Sequence, residues 1–74
     1  SKADVSVNIL CHIKAQASKQ VVTACTAIGD TDITLCYADG QKEVFPFAEV
    51  VEMARLYITT QYGSFERFAE WGLI

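Results

Sequence analysis

The chain predicts an α+β domain: a small antiparallel β-meander of three or four strands followed by two C-terminal helices packed on one face. Three observations lead there. The first runs of the chain alternate apolar and polar residues with period two, the pattern of half-buried strands. An Asp-Gly pair, Asp39-Gly40, sits between two such runs and marks a hairpin. The last third recurs at helical spacing instead. Strands first and helices last is the order of an α+β fold.

The first run, "DVSVNILCHI", places Val5, Val7, Ile9, Cys11 and Ile13 on one side and Ser6, Asn8, Leu10 and His12 on the other. It predicts a strand with one buried face. Leu10 breaks the polar set, which suggests partial cover on that side too. The next, "KQVVTACTAI", is rich in Val and Thr and is followed by the turn-like "AIGDTD". It reads as a strand paired with the first through a loop near Gln16 to Ser18. Its Ala and Cys content also permits a helix.

The hairpin "DITLCYADGQKEVFPF" allows two registers. A two-residue Asp39-Gly40 turn pairs Ala38 with Gln41 and sends Phe45 and Phe47 away from Ile33 and Leu35. A three-residue Ala38-Asp39-Gly40 loop, with Gly40 left-handed in a bulge, pairs Tyr37 with Gln41. Ile33, Leu35, Phe45 and Phe47 then share one face. A slip of one residue moves every side chain to the other face, so burial favours the bulged register. Pro46 cannot donate to a ladder, so that strand is an edge or is ending there.

"AEVVEMARLYITTQ" reads as a helix whose stripe is Val50, Val51, Ala54, Tyr57 and Ile58. Glu49 and Glu52 fall in its first turn, where the helix dipole favours them. Gly63 ends it. "SFERFAEW" restarts as a second helix with Ser64 as N-cap and Phe65, Phe68 and Ala69 as the apolar face.

Size and composition bound the function. The 74 residues form one domain, 1–74. So small a domain buries only about 60% of the surface of its unfolded chain. Hydrophobic residues are 51% of the chain, more than such a core easily absorbs, which leans toward a partner or an oligomer. The net charge is −3, and the six basic residues are scattered singly. A nucleic-acid partner wants a clustered basic face, so none is expected. No run approaches a membrane span, and none has the pattern of a secretory leader. Ser1 in place of Met reads as the result of a removal. Three cysteines, Cys11, Cys25 and Cys36, without a Cys-x-x-Cys, read as reduced thiols of a cytoplasmic protein.

Chemistry-bearing residues have bland explanations. Cys11 and His12 adjoin, but on a strand neighbours point to opposite faces, so a catalytic pair is not formed. Cys11, His12, Cys25 and Cys36 lack the paired short spacing of a zinc site. Asp30 and Asp32 in "GDTD" lack the later glycine and glutamate of a calcium loop. Gly29, Gly40, Gly63 and Gly72 make no phosphate loop. The sequence therefore names no catalytic residue, no metal ligand and no cofactor.

Aromatics concentrate in the last third: Tyr57, Tyr62, Phe65, Phe68 and Trp71. Trp71 falls off the Phe65–Phe68–Ala69 stripe and suits an interface anchor, with packing on the sheet as the other use. Leu56 points among polar residues, and the chain ends in Leu73 and Ile74. Leu56, Tyr62, Trp71, Leu73 and Ile74 are the expected partner-binding residues. The expected function is a non-enzymatic protein-interaction domain, a regulator, inhibitor or adaptor, of the short acidic kind encoded by phages and mobile elements. A self-assembling subunit or homodimer is the second reading. A small thiol enzyme or ligand-binding domain is the third.

Overall fold

Where the alternation of residues 5–13 predicts a strand, the chain forms a helix. The computed structural model describes residues 2–25 and 31–63. Its elements run α1 (Lys2–Ser18), β1 (Val22–Cys25), β2 (Asp32–Tyr37), β3 (Lys42–Pro46) and α2 (Phe47–Tyr62). The fold is α+β, but its order is helix, strands, helix. The second C-terminal helix expected from Ser64 onward lies outside the described residues.

The correction at α1 has a physical reason. Buried Ser6 and Leu10 are one helical turn apart, with Val7, Cys11 and Ala15 packed beside them. Exposed Asn8, His12 and Gln16 recur every four residues on the outside. Val5, Val7, Ile9, Cys11 and Ile13 are all half-buried, so the apolar surface wraps most of the helix. A helix apolar nearly all round also satisfies period two, and a buried serine hides its core face. Helix α1 ends at Lys19, which takes φ 57° and donates its N–H to the Ala15 carbonyl at 2.9 Å. That left-handed closure is normally given to glycine.

Strands β1, β2 and β3 form an antiparallel meander in that order. Residues 22–25 are therefore a strand, as expected, but their partner is β2 rather than the first segment. Val22 lies opposite Tyr37 and Cys25 opposite Thr34. The hairpin takes the bulged register, with Ile33 opposite Phe45 and Cys36 opposite Lys42. Tyr37 donates its N–H to the Gln41 carbonyl at 2.9 Å, and Gly40 closes the turn with φ 92°. Only glycine adopts that value without strain. Among the described strands β3 is an edge, and it stops at Pro46.

This register puts Val22, Ile33, Leu35, Tyr37 and Phe45 on one face of the sheet. Both helices pack there. Leu10 from α1 and Val50 from α2 join Val22, Leu35 and Phe45 in one buried cluster, with Phe47 and Met53 at its margin. Each such side chain contributes about 1.5–3 kcal/mol when fully buried. The stripe of α2 is centred on buried Val50, Ala54 and Ile58, with Val51 and Tyr57 half-buried at its flanks. Gly63 ends α2 at φ 87°, its N–H bonded to the Thr59 carbonyl.

The three cysteines are not all reduced thiols. Cys25 and Cys36 form a disulfide, with Cα atoms 5.9 Å apart. Cys11 is free. Once β1 pairs with β2, Cys25 and Cys36 stand diagonally on one face of adjacent strands, within bridging range. Pairing β1 with the first segment instead hides that proximity.

Candidate contact surface

With α1 and α2 on one face, no described element covers the other face of the sheet. Alternation assigns that face Thr23 and Cys25 from β1, Asp32, Thr34 and Cys36 from β2, and Lys42, Val44 and Pro46 from β3. Val21 continues the alternation at the head of β1, where its carbonyl accepts the Ala38 N–H at 3.1 Å. Val21 is 73% exposed and Val44 63% exposed, the largest values among the exposed large hydrophobic residues described. Thr34 and the disulfide lie between them, half-buried. Charge is confined to Asp32 and Lys42, at opposite ends of the strands. The centre is uncharged, β-branched and sulfur-rich.

The hairpin loop beside this face is held by Asp39 and by Gln20 from the segment that leads into β1. Gln20 donates from Nε2 to Asp39 Oδ2 at 3.1 Å, and the Asp39 N–H donates to Gln20 Oε1 at 2.9 Å. Asp39 Oδ1 also accepts the Gln41 N–H at 2.8 Å. The aspartate that marks the turn in the sequence thus has a structural task.

The helix-covered side of the sheet carries Tyr37 and Glu43. The Tyr37 hydroxyl donates to Glu43 Oε1. That hydrogen bond, then burial and the charges of Glu43 and Asp39, push the Tyr37 pKa up to about 12. Lys14 places its Nζ 5.0 Å from the centroid of Phe45, a cation–π contact of α1 on β3. Burial pushes the Cys11 thiol up, the opposite of what an attacking thiolate needs. His12 turns its ring edge-on to Tyr57 of α2, centroids 5.9 Å apart at 75°. Nothing in this arrangement activates Cys11. Among the described residues, no three His, Cys, Asp or Glu side chains gather in a way that could hold a metal ion. No described helix is long and apolar enough to cross a membrane.

Of the expected partner-binding residues, Leu56 and Tyr62 lie on α2, 51% and 41% exposed. Leu56 shares its side of the helix with Glu52, whose carboxylate is paired with Arg55. Trp71, Leu73 and Ile74 lie outside the described residues. Sequence reading missed Val21 and Val44. The signal was present: the bulged register that brings Phe45 opposite Ile33 necessarily sends Val44 to the other face.

No protein-family model matches the chain, and neither the curated proteins nor the solved structures include a match.

Proposed function

We propose that this chain is a non-enzymatic protein-interaction domain, a regulator, inhibitor or adaptor, that meets a protein partner with the face of its sheet that no described helix covers. The observation that carries the reading is the pair of exposed valines, Val21 and Val44, flanking an uncharged centre on an otherwise ordered face. An apolar area rimmed by polar groups is the usual mark of a contact site. Leu56 and Tyr62 offer a second apolar area on α2, to which Trp71, Leu73 and Ile74 belong in the sequence-based reading. Neither area has the dense positive charge that nucleic acid demands.

The test is capture from an extract of the native host with wild type, Val44→Asp and Leu56→Asp. The sheet-face reading expects a protein held by the wild type, lost by Val44→Asp and kept by Leu56→Asp. The reverse pattern moves the contact surface to α2. Equal retention by all three removes both areas.

Self-assembly is the second reading, and one observation favours it. Strand β1 is an uncharged edge whose outer side faces no other described strand. Such an edge pairs readily with a second copy. Sedimentation of the pure protein separates the two: a monomer favours the foreign partner, a tight dimer the self-assembling subunit.

The cytoplasmic placement rested on three reduced thiols and loses that support with the Cys25–Cys36 pairing. A persistent disulfide is the habit of oxidising compartments. Thiol counting on protein taken directly from the cell decides between the two.

A further inference from the structure

We propose that the Cys25–Cys36 disulfide is a reducible clasp that holds edge strand β1 on the sheet, so that a dithiol reductant loosens β1 while the α1–β2–β3–α2 core stays folded. The proposal is independent of which partner, if any, binds the sheet face.

Four features carry it. The bond joins the edge strand to the central strand, so it crosses one seam of the sheet only. It lies on the helix-free face, where both cysteines are partly exposed and no described element covers them. Strand β1 has four residues and contributes one buried side chain, Val22, to the core. The β2–β3 hairpin is secured separately, by the Asp39 turn and the Ile33–Phe45 pairing. Opening the clasp therefore leaves a four-residue edge strand held by its β2 ladder, by Val22 and, at its head, by the Ala38–Val21 and Gln20–Asp39 bonds. Short edges of this kind open locally below the global unfolding limit.

The chemistry balances with a dithiol reductant. One thiolate of the reductant attacks a sulfur of the Cys25–Cys36 bond, giving a mixed disulfide and releasing the other cysteine as a thiolate. The second thiol of the reductant then displaces the remaining cysteine. Two electrons pass to the protein, both cysteines leave as thiols with protons from the reductant and solvent, and the reductant closes into its own disulfide. Cys11 cannot take part in the folded state. It belongs to α1 and packs on the opposite face of the sheet, away from the Cys25–Cys36 bond, and burial pushes its thiol pKa up.

The experiment uses the full chain, oxidised and after treatment with dithiothreitol, with a Cys25→Ser/Cys36→Ser double variant as the permanently open form. Intact mass after alkylation should show one free thiol in oxidised protein labelled under denaturing conditions, and two rapidly labelled thiols in reduced protein labelled under native conditions. Amide exchange of β1 should rise at least about tenfold on reduction, while the β2–β3 amides change little. The double variant should match the reduced wild type. Three free thiols in untreated protein overturn the proposal, and so does unchanged exchange of β1 after reduction. Equal acceleration across the whole sheet also overturns it, because the bond would then support the entire fold.

Discussion

Gln20 and Asp39 grip each other through two reciprocal hydrogen bonds, amide to carboxylate at 3.1 Å and backbone N–H to amide oxygen at 2.9 Å. The pair ties the segment that leaves α1 to the tip of the β2–β3 hairpin, nineteen residues later in the chain. It fixes where β1 begins, since the Ala38 N–H reaches the Val21 carbonyl beside it. Both groups are exposed, so the gain is modest: Gln20→Ala should cost about 1 kcal/mol. Urea unfolding checks this; Asp39→Ala, which also loses the Gln41 bond, should cost more. A null effect of both variants would show that the grip is incidental.

Two left-handed residues predict effects of opposite sign. Lys19 closes α1 at φ 57°, where a side chain is disfavoured. Lys19→Gly should stabilise the protein by up to about 1 kcal/mol, the strain relieved being partly offset by greater freedom of the unfolded chain. Gly40 sits at φ 92° with open space around the position of an added Cβ. Gly40→Ala meets no neighbour, yet should destabilise by about 1 kcal/mol or more through backbone strain alone. Thermal melts of the two variants should move in opposite directions.

The stripe of α2 makes a graded prediction. Val50 is wholly buried and Val51 only partly. A carboxylate at Val50 has no partner and no water, at a cost of several kcal/mol against a total stability of roughly 5 kcal/mol. Val50→Asp should unfold the domain. Val51→Asp, at the flank, should weaken it without abolishing a cooperative melt, and Glu49→Lys should barely matter. A normal melt for Val50→Asp would show that the helix is wrongly seated.

Tyr37 gives the pH dependence. Its folded pKa, about 12, stands above the ordinary 10 because Glu43 accepts its hydroxyl proton. The folded state therefore holds the proton more tightly than the unfolded state. The contribution is fully present below pH 10 and is lost as the pH rises toward 12. Ultraviolet titration of tyrosinate should show one late-ionising tyrosine in wild type. In Glu43→Gln that ionisation should return toward the ordinary range, because the acceptor has lost its charge.

The hairpin was legible because two independent local signals agree there. Asp39-Gly40 demands a left-handed glycine, and burial of Ile33 and Phe45 together demands the three-residue loop. Helix α2 was legible because its stripe has clean helical spacing and Gly63 closes it. Helix α1 was not, because its apolar residues satisfy both periods and Ser6 occupies a core position. The four-residue spacing of Asn8, His12 and Gln16 was the evidence against a strand. That single misreading also cost β1 its true partner, and with it the diagonal approach of Cys25 and Cys36. The same register that was read correctly implied an outward Val44. With α1 and α2 packed on the opposite face, that position leaves Val44 exposed.

If the sheet face that no described helix covers meets the partner, a charge at Val44 will weaken that contact. Val44→Asp is exposed in the folded protein and should leave circular dichroism unchanged. Titration of a protein captured from the native host with purified wild type and variant should show an affinity loss of at least about tenfold, or about 1.4 kcal/mol. A folded Val44→Asp variant that binds with wild-type affinity would contradict it.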